Sequence, residues 1–357
     1  MSEQDPRTRD GDGAGLLISD LVVDYPLGRR RRRRAVDGVS LRVPAGRSVG
    51  LVGESGSGKS TVAKAVLGMA PVGSGAVTYG PARLHDLGRR AARPQEIQVV
   101  FQDPYSSLDP TKTIGYTLAE PLRARAARTG TPLTRADCQE AVRAILDRVG
   151  LPPDTADRYP AQFSGGQRQR ISVARALIVR PELVICDEAV SALDLSVQAQ
   201  ILNLLLELQQ DLGLSLLFIT HDLAVVHHIA EDLVVLYRGR VMESGTAEDV
   251  CRAPSHPYTR QLVMSAPLHS VGGQRERRER REAMTPPPAR ARPLADACPF
   301  THRCPFAVDR CRTERPALRE APHGGRVACH RAEDLPAWTE PFGPAPAPAP
   351  NRKNGTP

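Results

Sequence analysis

Long apolar runs are missing from this 357-residue sequence, and aromatic residues make up only 4% of it. No apolar stretch approaches the roughly 20 residues that a transmembrane helix needs. The first ten residues are polar and lack the apolar region of a secretory signal peptide. We therefore expect a cytosolic protein that meets any membrane only through its partners.

Acidic residues are outnumbered by basic ones, and the formal net charge is +8. Arginines form two dense runs, at residues 29–34 and 275–281. Such clusters attract nucleic acids or anionic membranes. A surface that binds nucleic acid commonly adds aromatic side chains that stack on bases, and these are scarce here. We interpret the two runs as solvated loops and expect no nucleic-acid partner.

Cysteines are few, and their odd number of seven argues against a disulfide framework in a reducing cytosol. Cys138, Cys186 and Cys251 are scattered along the chain. The remaining four are grouped near the C-terminal end, at Cys298, Cys304, Cys311 and Cys329.

Strand-like and helix-like segments alternate from residue 16 to about residue 250, which predicts an α/β fold with a mainly parallel core sheet. Less regular alternation near Val22 and at Val39–Val43 predicts a small antiparallel β subdomain ahead of it. Between residues 103 and 162 the pattern is helical, most clearly at Ala136–Val149, which predicts an inserted helical subdomain. The predicted core strands are Val49–Val52, Ile97–Phe101, Leu183–Asp187, Leu214–Thr220 and Leu233–Tyr237.

Other segments carry no folding pattern. We expect residues 1–15 to be disordered and residues 268–292, which are charged and rich in proline, to form a linker. Residues 336–357 are rich in proline and alanine and are expected to form a disordered tail. The cysteine group, residues 298–329, lies between the linker and this tail.

A phosphate-binding loop is predicted at Gly53–Ser60, which reads Gly-Glu-Ser-Gly-Ser-Gly-Lys-Ser between a buried strand and a helix. Its glycines let successive backbone N–H groups converge on phosphate oxygens. Lys59 would reach the outer phosphates, and the Ser60 hydroxyl would ligate Mg²⁺. The alternative is a glycine-rich turn that binds nothing. We expect the chain to bind a nucleoside triphosphate.

A second anion site is predicted at Ser164–Gln167, where the sequence Ser-Gly-Gly-Gln begins a helix that should run to Arg180 and stop at Pro181. One chain needs only one phosphate cradle. A second cradle therefore suggests that ATP lies between two subunits. The alternative is a purely structural helix cap.

Polar residues end three of the predicted strands. Asp187 and Glu188 follow an apolar strand, so that Asp187 can orient Mg²⁺ and Glu188 can accept a proton from an attacking water. Gln102 can sense the metal and the water at the end of a second strand. His221 ends a third and can contact the γ-phosphate, although a lone histidine in such a place is more often structural.

Taken in order, these motifs resemble the ATP-binding subunit of ABC transporters over residues 16–250. The resemblance implies an ATPase that uses Mg²⁺, with catalytic roles for Lys59, Gln102, Glu188 and His221. It places adenine on Tyr25, although the arginine run that follows makes that loop unusual in length. The nucleotide and metal contacts that it implies are Tyr25, Gly53, Glu54, Ser55, Gly56, Ser57, Gly58, Lys59, Ser60, Thr61, Gln102, Ser164, Gly165, Gly166, Gln167, Asp187 and Asp194.

Finer stretches around Gln102, the Ser164–Gln167 turn and Asp187 resemble the F-type ATPase subunit of oligopeptide and dipeptide importers. Residues 256–262 resemble the start of that subfamily's C-terminal extension, expected here over 251–335. The resemblance implies a related D-type ATPase subunit, two permeases and an extracytoplasmic peptide-binding protein as partners, at the cytoplasmic face of the membrane. Ala189 departs towards nickel-importer relatives, so nickel or another small solute is the alternative cargo.

The cysteine group resembles the end of peptide-importer ATPases, some of which bind a [4Fe–4S] cluster. Four thiolates at Cys298, Cys304, Cys311 and Cys329 suit such a cluster or zinc. Their spacing is not that of the paired cysteines in a zinc ribbon, which favours iron–sulfur. The alternative is four reduced thiols without a ligand.

Two rival functions remain within the ABC family. One is a soluble ATPase that acts on DNA or the ribosome, which the basic runs suggest. The sequence has a single P-loop and no long coiled-coil insertion, which argues against it. The other rival is the ATPase of an exporter, against which the subfamily resemblance and the cysteine group weigh.

Overall fold

A computed structural model describes residues 15–28, 31–84, 96–103, 107–266, 294, 296–322 and 324–339. Residues 1–14, the linker predicted over 268–292 and residues 340–357 lie outside the described residues, and so do Arg29, Arg30 and the arginine run at 275–281. Residues 336–339, where the predicted disordered tail begins, are among the described residues, and two of them contact Arg260. The guanidinium of Arg260 lies 5.4 Å from the centre of the Trp338 ring and donates to the carbonyl of Pro336.

The described residues form strands and helices as follows. The strands are β1 Gly15–Leu27, β2 Arg31–Pro44, β3 Ser48–Val52, β4 Val72–Tyr79, β5 Ala82–Arg83, β6 Ile97–Val100, β7 Leu183–Asp187, β8 Ser215–Thr220, β9 Asp232–Tyr237, β10 Arg240–Thr246, β11 Arg319–Glu320 and β12 Arg326–Val327. The α-helices are α1 Lys59–Val66, α2 Ile114–Thr129, α3 Arg135–Arg148, α4 Gly165–Leu177, α5 Leu195–Leu212, α6 Leu223–Ile229, α7 Ala247–Arg252, α8 Pro257–Ser265 and α9 Asp309–Thr313.

The larger sheet carries the predicted core strands. Its order is β11-β12-β10-β9-β3-β8-β7-β6, and the five strands from β9 to β6 are parallel. Every residue of β3 and β8 is buried, as expected for parallel strands covered by helices on both faces. The prediction of an α/β fold with a mainly parallel sheet is confirmed.

The smaller sheet is antiparallel, in the order β2-β1-β4-β5, which confirms the predicted β subdomain. Our interpretation of the first arginine run as a loop was wrong for residues 31–34. These arginines lengthen β2 and pair with the end of β1, where Arg33 lies opposite Tyr25. Arg34 also forms an ion pair with Asp24 at 3.1 Å. Backbone pairing across the hairpin and this charge pair favour a strand, although the arginine side chains stay exposed.

Helices fill the chain between β6 and β7 within the described residues. Helix α3 begins one residue before the predicted Ala136–Val149 segment. A capping box between Thr134 and Asp137 caps its N-terminus. Helix α4 ends at Leu177, three residues short of the predicted end at Arg180. Proline disfavours helical backbone in the residue before it. Arg180, the residue before Pro181, lies outside the right-handed helical region, with a φ of 52°.

The C-terminal residues fold back onto the sheet instead of forming a separate body. Strand β12 pairs with β10, and β11 pairs with β12. Tyr258 and Phe300 are fully buried and share a hydrophobic cluster with Val52 of β3 and Tyr237 of β9. This end of the chain is therefore anchored beside the strand that precedes the predicted P-loop. Among the described helices, none is both long and apolar enough to cross a membrane.

Candidate nucleotide site and cysteine module

The predicted P-loop lies between β3 and α1 and depends on glycine at two tight positions. A side chain on Gly53 would place its Cβ 2.1 Å from the carbonyl oxygen of Leu236 on β9. Gly58 has a φ of 108°, and a Cβ there would lie 2.6 Å from the carbonyl oxygen of Ala35. The loop is thus pressed against both sheets, and only glycine permits this approach.

Lys59, the first residue of α1, is 4% exposed and points back into the loop. Its Nζ donates hydrogen bonds to the carbonyl oxygens of Gly53 at 2.6 Å and Glu54 at 3.0 Å. Burial lowers the pKa of this lysine, while the nearby carboxylates of Glu188, Asp187 and Glu54 act in the opposite direction. A buried ammonium group surrounded by curled backbone is well placed to meet phosphate oxygens.

Ser60 and Asp187 meet although they are 127 residues apart, the Ser60 Oγ donating to an Asp187 carboxylate oxygen at 3.0 Å. Burial raises the pKa of Asp187, and the hydrogen bond from Ser60 opposes that rise. A hydroxyl and a carboxylate are hard oxygen ligands of the kind that Mg²⁺ prefers. The pair fits the metal predicted for this site.

Glu188, His221 and Gln102 converge at the carboxyl edge of three adjacent parallel strands. Glu188 follows β7 with a φ of 52°, and its N–H donates to the carbonyl of Ile219 on β8 at 2.8 Å. A carboxylate oxygen of Glu188 lies 3.6 Å from the Nδ1 of His221. Left-handed backbone is strained for a non-glycine residue and concentrates at functional sites.

Gln102 joins this group through one intermediate residue. Its Nε2 donates to the Ser191 hydroxyl at 3.4 Å, and that hydroxyl donates to the backbone carbonyl of Glu188 at 3.0 Å. The second residue after β6 is therefore connected to the residue after β7.

The Ser164–Gln167 turn caps α4 with a reciprocal pair of hydrogen bonds between Ser164 and Gln167, at 3.0 and 3.3 Å. Gly166 lies against α5, because a Cβ there would be 2.4 Å from the side chain of Val197. Asp194 caps α5 and accepts from the N–H of Val197 at 2.9 Å. Within one chain these residues act as helix caps, and Ser164 and Gly165 leave the start of α4 at the surface.

Tyr25, predicted to stack on adenine, lies on β1 of the smaller sheet. It is partly buried against the hydrophobic cluster that also contains Val62 and Val66 of α1. The cross-strand partner of Tyr25 is Arg33. The aromatic ring and the helix that follows the P-loop thus share one core.

The described residues 296–322 and 324–339 are named the cysteine module here. Cys298, Cys304, Cys311 and Cys329 line one small cavity of about 10 Å³ in it. Burial raises the pKa of Cys298 to about 11 and that of Cys304 to about 12, and the neighbouring cysteines raise both further. The sulfur of Cys329 accepts a hydrogen bond from the N–H of Arg331 at 3.4 Å. Within the described part of the chain, no three His, Cys, Asp or Glu side chains are close enough to hold a single metal ion.

Two residues beside the P-loop were missed from the sequence. Arg303 of the cysteine module forms an ion pair with Glu54, and the hydroxyl of Tyr258 on α8 accepts from the N–H of Glu54. Both lie more than 200 positions away along the chain. The sequence offers no local signal for such contacts.

Comparisons with known proteins agree with this geometry. Residues 36–191 match the family described as "ABC transporter", and residues 242–311 match that described as "Oligopeptide/dipeptide transporter, C-terminal region". The oligopeptide transport ATP-binding protein OppF of Salmonella typhimurium is 44% identical over 333 residues, which cover 90% of this chain and 97% of that protein. A putative peptide import ATP-binding protein of Brucella ovis is 45% identical over 318 residues, covering 88% and 97% respectively.

Among solved structures, the chain is similar to the ATP-binding cassette MJ0796 in a dimeric, post-hydrolysis state bound to ADP and Pi. The TM-score is 0.59 at 26% identity, and the match covers 65% of this chain and 98% of that one. The shared part therefore leaves out about a third of the present chain. On the strength of the near full-length relatives, the chain belongs to the ABC transporter ATPases, in the branch that carries the oligopeptide/dipeptide transporter C-terminal region.

Proposed function

We propose that this chain hydrolyses ATP to power an importer of di- and oligopeptides. One observation carries the proposal: Lys59, Asp187 and Glu188 gather at the edge of the sheet in a chain whose C-terminal region matches the oligopeptide/dipeptide transporter family. Relatives 44–45% identical over nearly their whole length carry names of peptide transport or import ATP-binding proteins. The site supplies the chemistry, and the relatives suggest the cargo.

The P-loop would hold the phosphates of ATP, with backbone amides on one side and Lys59 on the other. The bonds of Lys59 to the carbonyls of Gly53 and Glu54 would give way to bonds with the outer phosphates. Tyr25 would stack on adenine. Ser60 and Asp187, with Gln102, would hold Mg²⁺, which when bound neutralises charge on the phosphates. The other predicted contacts, Ser55 to Gly58 and Thr61, line the same loop and the start of α1.

Glu188 would accept a proton from the water that attacks the γ-phosphorus, while His221 contacts the γ-phosphate from the next strand. Among the described residues the Ser164–Gln167 turn caps α4 and leaves the start of that helix at the surface, so its amides and Asp194 would act on ATP held by a partner subunit. We infer a face-to-face pair with a related D-type ATPase subunit. Closure of the pair around ATP, and its reopening after hydrolysis, would drive the transport cycle.

Two permeases and an extracytoplasmic peptide-binding protein complete the proposed importer, which places this chain at the cytoplasmic face of the membrane. The connection from Gln102 through Ser191 to Glu188 supports a link between a permease contact and the catalytic edge. A permease that displaces the segment around Gln102 would alter the position of Glu188.

An uptake experiment separates the proposed cargo from its alternatives. Cells that carry Glu188→Gln in place of the native chain should lose uptake of radiolabelled di- and tripeptides, while accumulation of ⁶³Ni²⁺ is unchanged. Loss of nickel uptake with normal peptide uptake would identify the nickel-importer alternative. Normal uptake of both, with a defect in ribosome assembly or DNA maintenance, would favour the soluble ATPase. Accumulation of a compound inside the cells would indicate an exporter.

We further propose that the cysteine module holds a [4Fe–4S] cluster. The donor chemistry suits a cluster, because four thiols line one cavity and an N–H group is directed at the sulfur of Cys329. The cavity of about 10 Å³ has room for about one water, so the thiols would have to move apart to admit the cluster. Zinc is disfavoured, because the spacing of the four cysteines is not that of the paired cysteines in a zinc ribbon. When bound, such a cluster would crosslink residues before and after α9.

Replacing Cys304 with serine tests this assignment. Iron and acid-labile sulfide should accompany the anaerobically purified wild-type chain and should fall several-fold in Cys304→Ser, because the cluster loses one of its four thiolates. The buried Cys138 lies outside the module and provides the matched control, so Cys138→Ser should retain both. A wild-type chain without iron and zinc would contradict a metal site, and zinc without iron would contradict the cluster.

A further inference from the structure

A bidentate ion pair between Arg303 and Glu54 connects the cysteine module to the P-loop. The guanidinium nitrogens of Arg303 donate to the two carboxylate oxygens of Glu54 at 2.7 and 2.8 Å. Glu54 is the second residue of the P-loop, and Arg303 directly precedes Cys304. Two parallel charge-assisted bonds fix the orientation of both side chains more firmly than a single contact does.

The backbone of Glu54 is held as well. Its N–H donates to the hydroxyl of Tyr258 at 2.8 Å. Tyr258 is fully buried, with ring centres 4.6 Å from Tyr237 and 5.4 Å from Phe300. The guanidinium of Arg303 lies 5.6 Å from the ring centre of Phe300. Both groups that contact Glu54 therefore lie against one aromatic cluster, which includes Phe300 of the cysteine module.

The contacts of Glu54 extend to the phosphate-binding lysine. The carbonyl oxygen of Glu54 accepts from Lys59 Nζ at 3.0 Å, and its carboxylate acts to raise the pKa of that lysine. Since Glu54 is fixed at its N–H and its carboxylate, its carbonyl is fixed relative to Lys59. A glycine-rich loop loses much conformational freedom when it binds a ligand. Fixing it in advance reduces that loss.

We propose that Arg303 is a positioning residue for the P-loop, and that the cysteine module sets the affinity of the chain for ATP through the pair Arg303–Glu54. The proposal rests on the role of the P-loop in binding ATP, and it is independent of which ligand the cysteines hold. Arg303 touches Glu54 and not the predicted phosphate position. Its effect should therefore appear in nucleotide affinity and leave the chemical step unaltered.

Arg303→Ala and Arg310→Ala form a matched pair of variants. Like Arg303, Arg310 lies in the cysteine module directly before a cysteine. It forms a bidentate ion pair with Glu314, at 2.7 and 2.8 Å, and not with a residue of the P-loop. In the intact complex, Arg303→Ala should raise the KM for ATP about 3- to 10-fold with kcat within about 2-fold of wild type. Arg310→Ala should change neither constant.

A double-mutant cycle keeps the test valid if Arg303→Ala folds poorly. Glu54→Gln and Arg303→Met should each weaken the binding of a fluorescent ATP analogue to the full-length chain. The double variant should bind the analogue no more weakly than whichever single variant has the lower affinity. Additive losses, or a KM for Arg303→Ala equal to that of wild type, would overturn the proposal. A fall in kcat alone would also overturn it, since that indicates only a smaller folded fraction.

The variant Lys59→Ala distinguishes failure of the positioning role of Arg303 from failure of ATP binding by the P-loop. If wild type binds ATP and Lys59→Ala does not, the P-loop role stands whatever Arg303 does. If wild type does not bind ATP, the proposed ATP site fails, and the positioning role of Arg303 fails with it.

Discussion

Glu188→Gln should abolish steady-state ATP hydrolysis while leaving ATP binding intact. The substitution keeps the size and hydrogen-bonding capacity of the side chain but removes the basic oxygen that would take the proton from water. General-base catalysis contributes about 10²- to 10⁴-fold to rate, so turnover should fall by at least 100-fold. The variant should hold ATP in a stable pair of subunits, detectable as unhydrolysed nucleotide that elutes with the complex in gel filtration.

The control for this result is Glu207→Gln, which removes an exposed carboxylate from α5. It should hydrolyse ATP at the wild-type rate. The second ATPase subunit must carry the equivalent substitution, so that its own site does not mask the loss. Hydrolysis at the wild-type rate in the doubly inactivated complex would contradict the role of Glu188 as the base.

Lys59→Ala should remove ATP binding itself. The Nζ group is buried among the carbonyls of Gly53 and Glu54, and its replacement leaves the phosphates without their main opposing charge. Truncating one member of a desolvated charge pair costs about 2–5 kcal/mol, so affinity should fall roughly 30-fold or more. Equilibrium binding of a fluorescent ATP analogue to the purified chain measures this loss directly.

Lys64→Ala is the matched control, because Lys64 lies on the same helix with its side chain exposed. It should bind ATP nearly as wild type does. Equal losses in the two variants would mean that helix α1, and not the charge at Lys59, governs binding. Unchanged affinity in Lys59→Ala would contradict the assignment of the P-loop as the phosphate cradle.

The clustering of Gln102, Asp187, Glu188 and His221 was predictable from sequence because of a general property of parallel sheets. Each of these residues follows an apolar segment, and the carboxyl ends of adjacent parallel strands meet at one edge. The strands β6, β7 and β8 are neighbours, which brings the residues after them together. The order of the strands in the sheet, which makes β6, β7 and β8 neighbours, comes from the structure and not from the sequence.

Contacts between segments distant in sequence were not predictable in this way. Arg303 and Glu54 are 249 positions apart, and no sequence pattern around either residue indicates that the two are in contact. A run of charged residues has no strand-like alternation, so the arginines of β2 read as a loop. They form a strand because their backbone pairs with residues near Tyr25. The early end of α4 depends on how Arg180 accommodates the following proline, which the sequence indicates only as a nearby stop.

The composition of the native complex is the most direct test of the proposed transport function. The chain would be extracted from its native membrane in a mild detergent, and everything that copurifies with it would be identified by mass spectrometry. We expect two permeases, a sister ATPase and an extracytoplasmic binding protein that carries a bound peptide. Recovery with ribosomal or DNA-bound proteins and without a permease would contradict the transport function and leave only the ATPase.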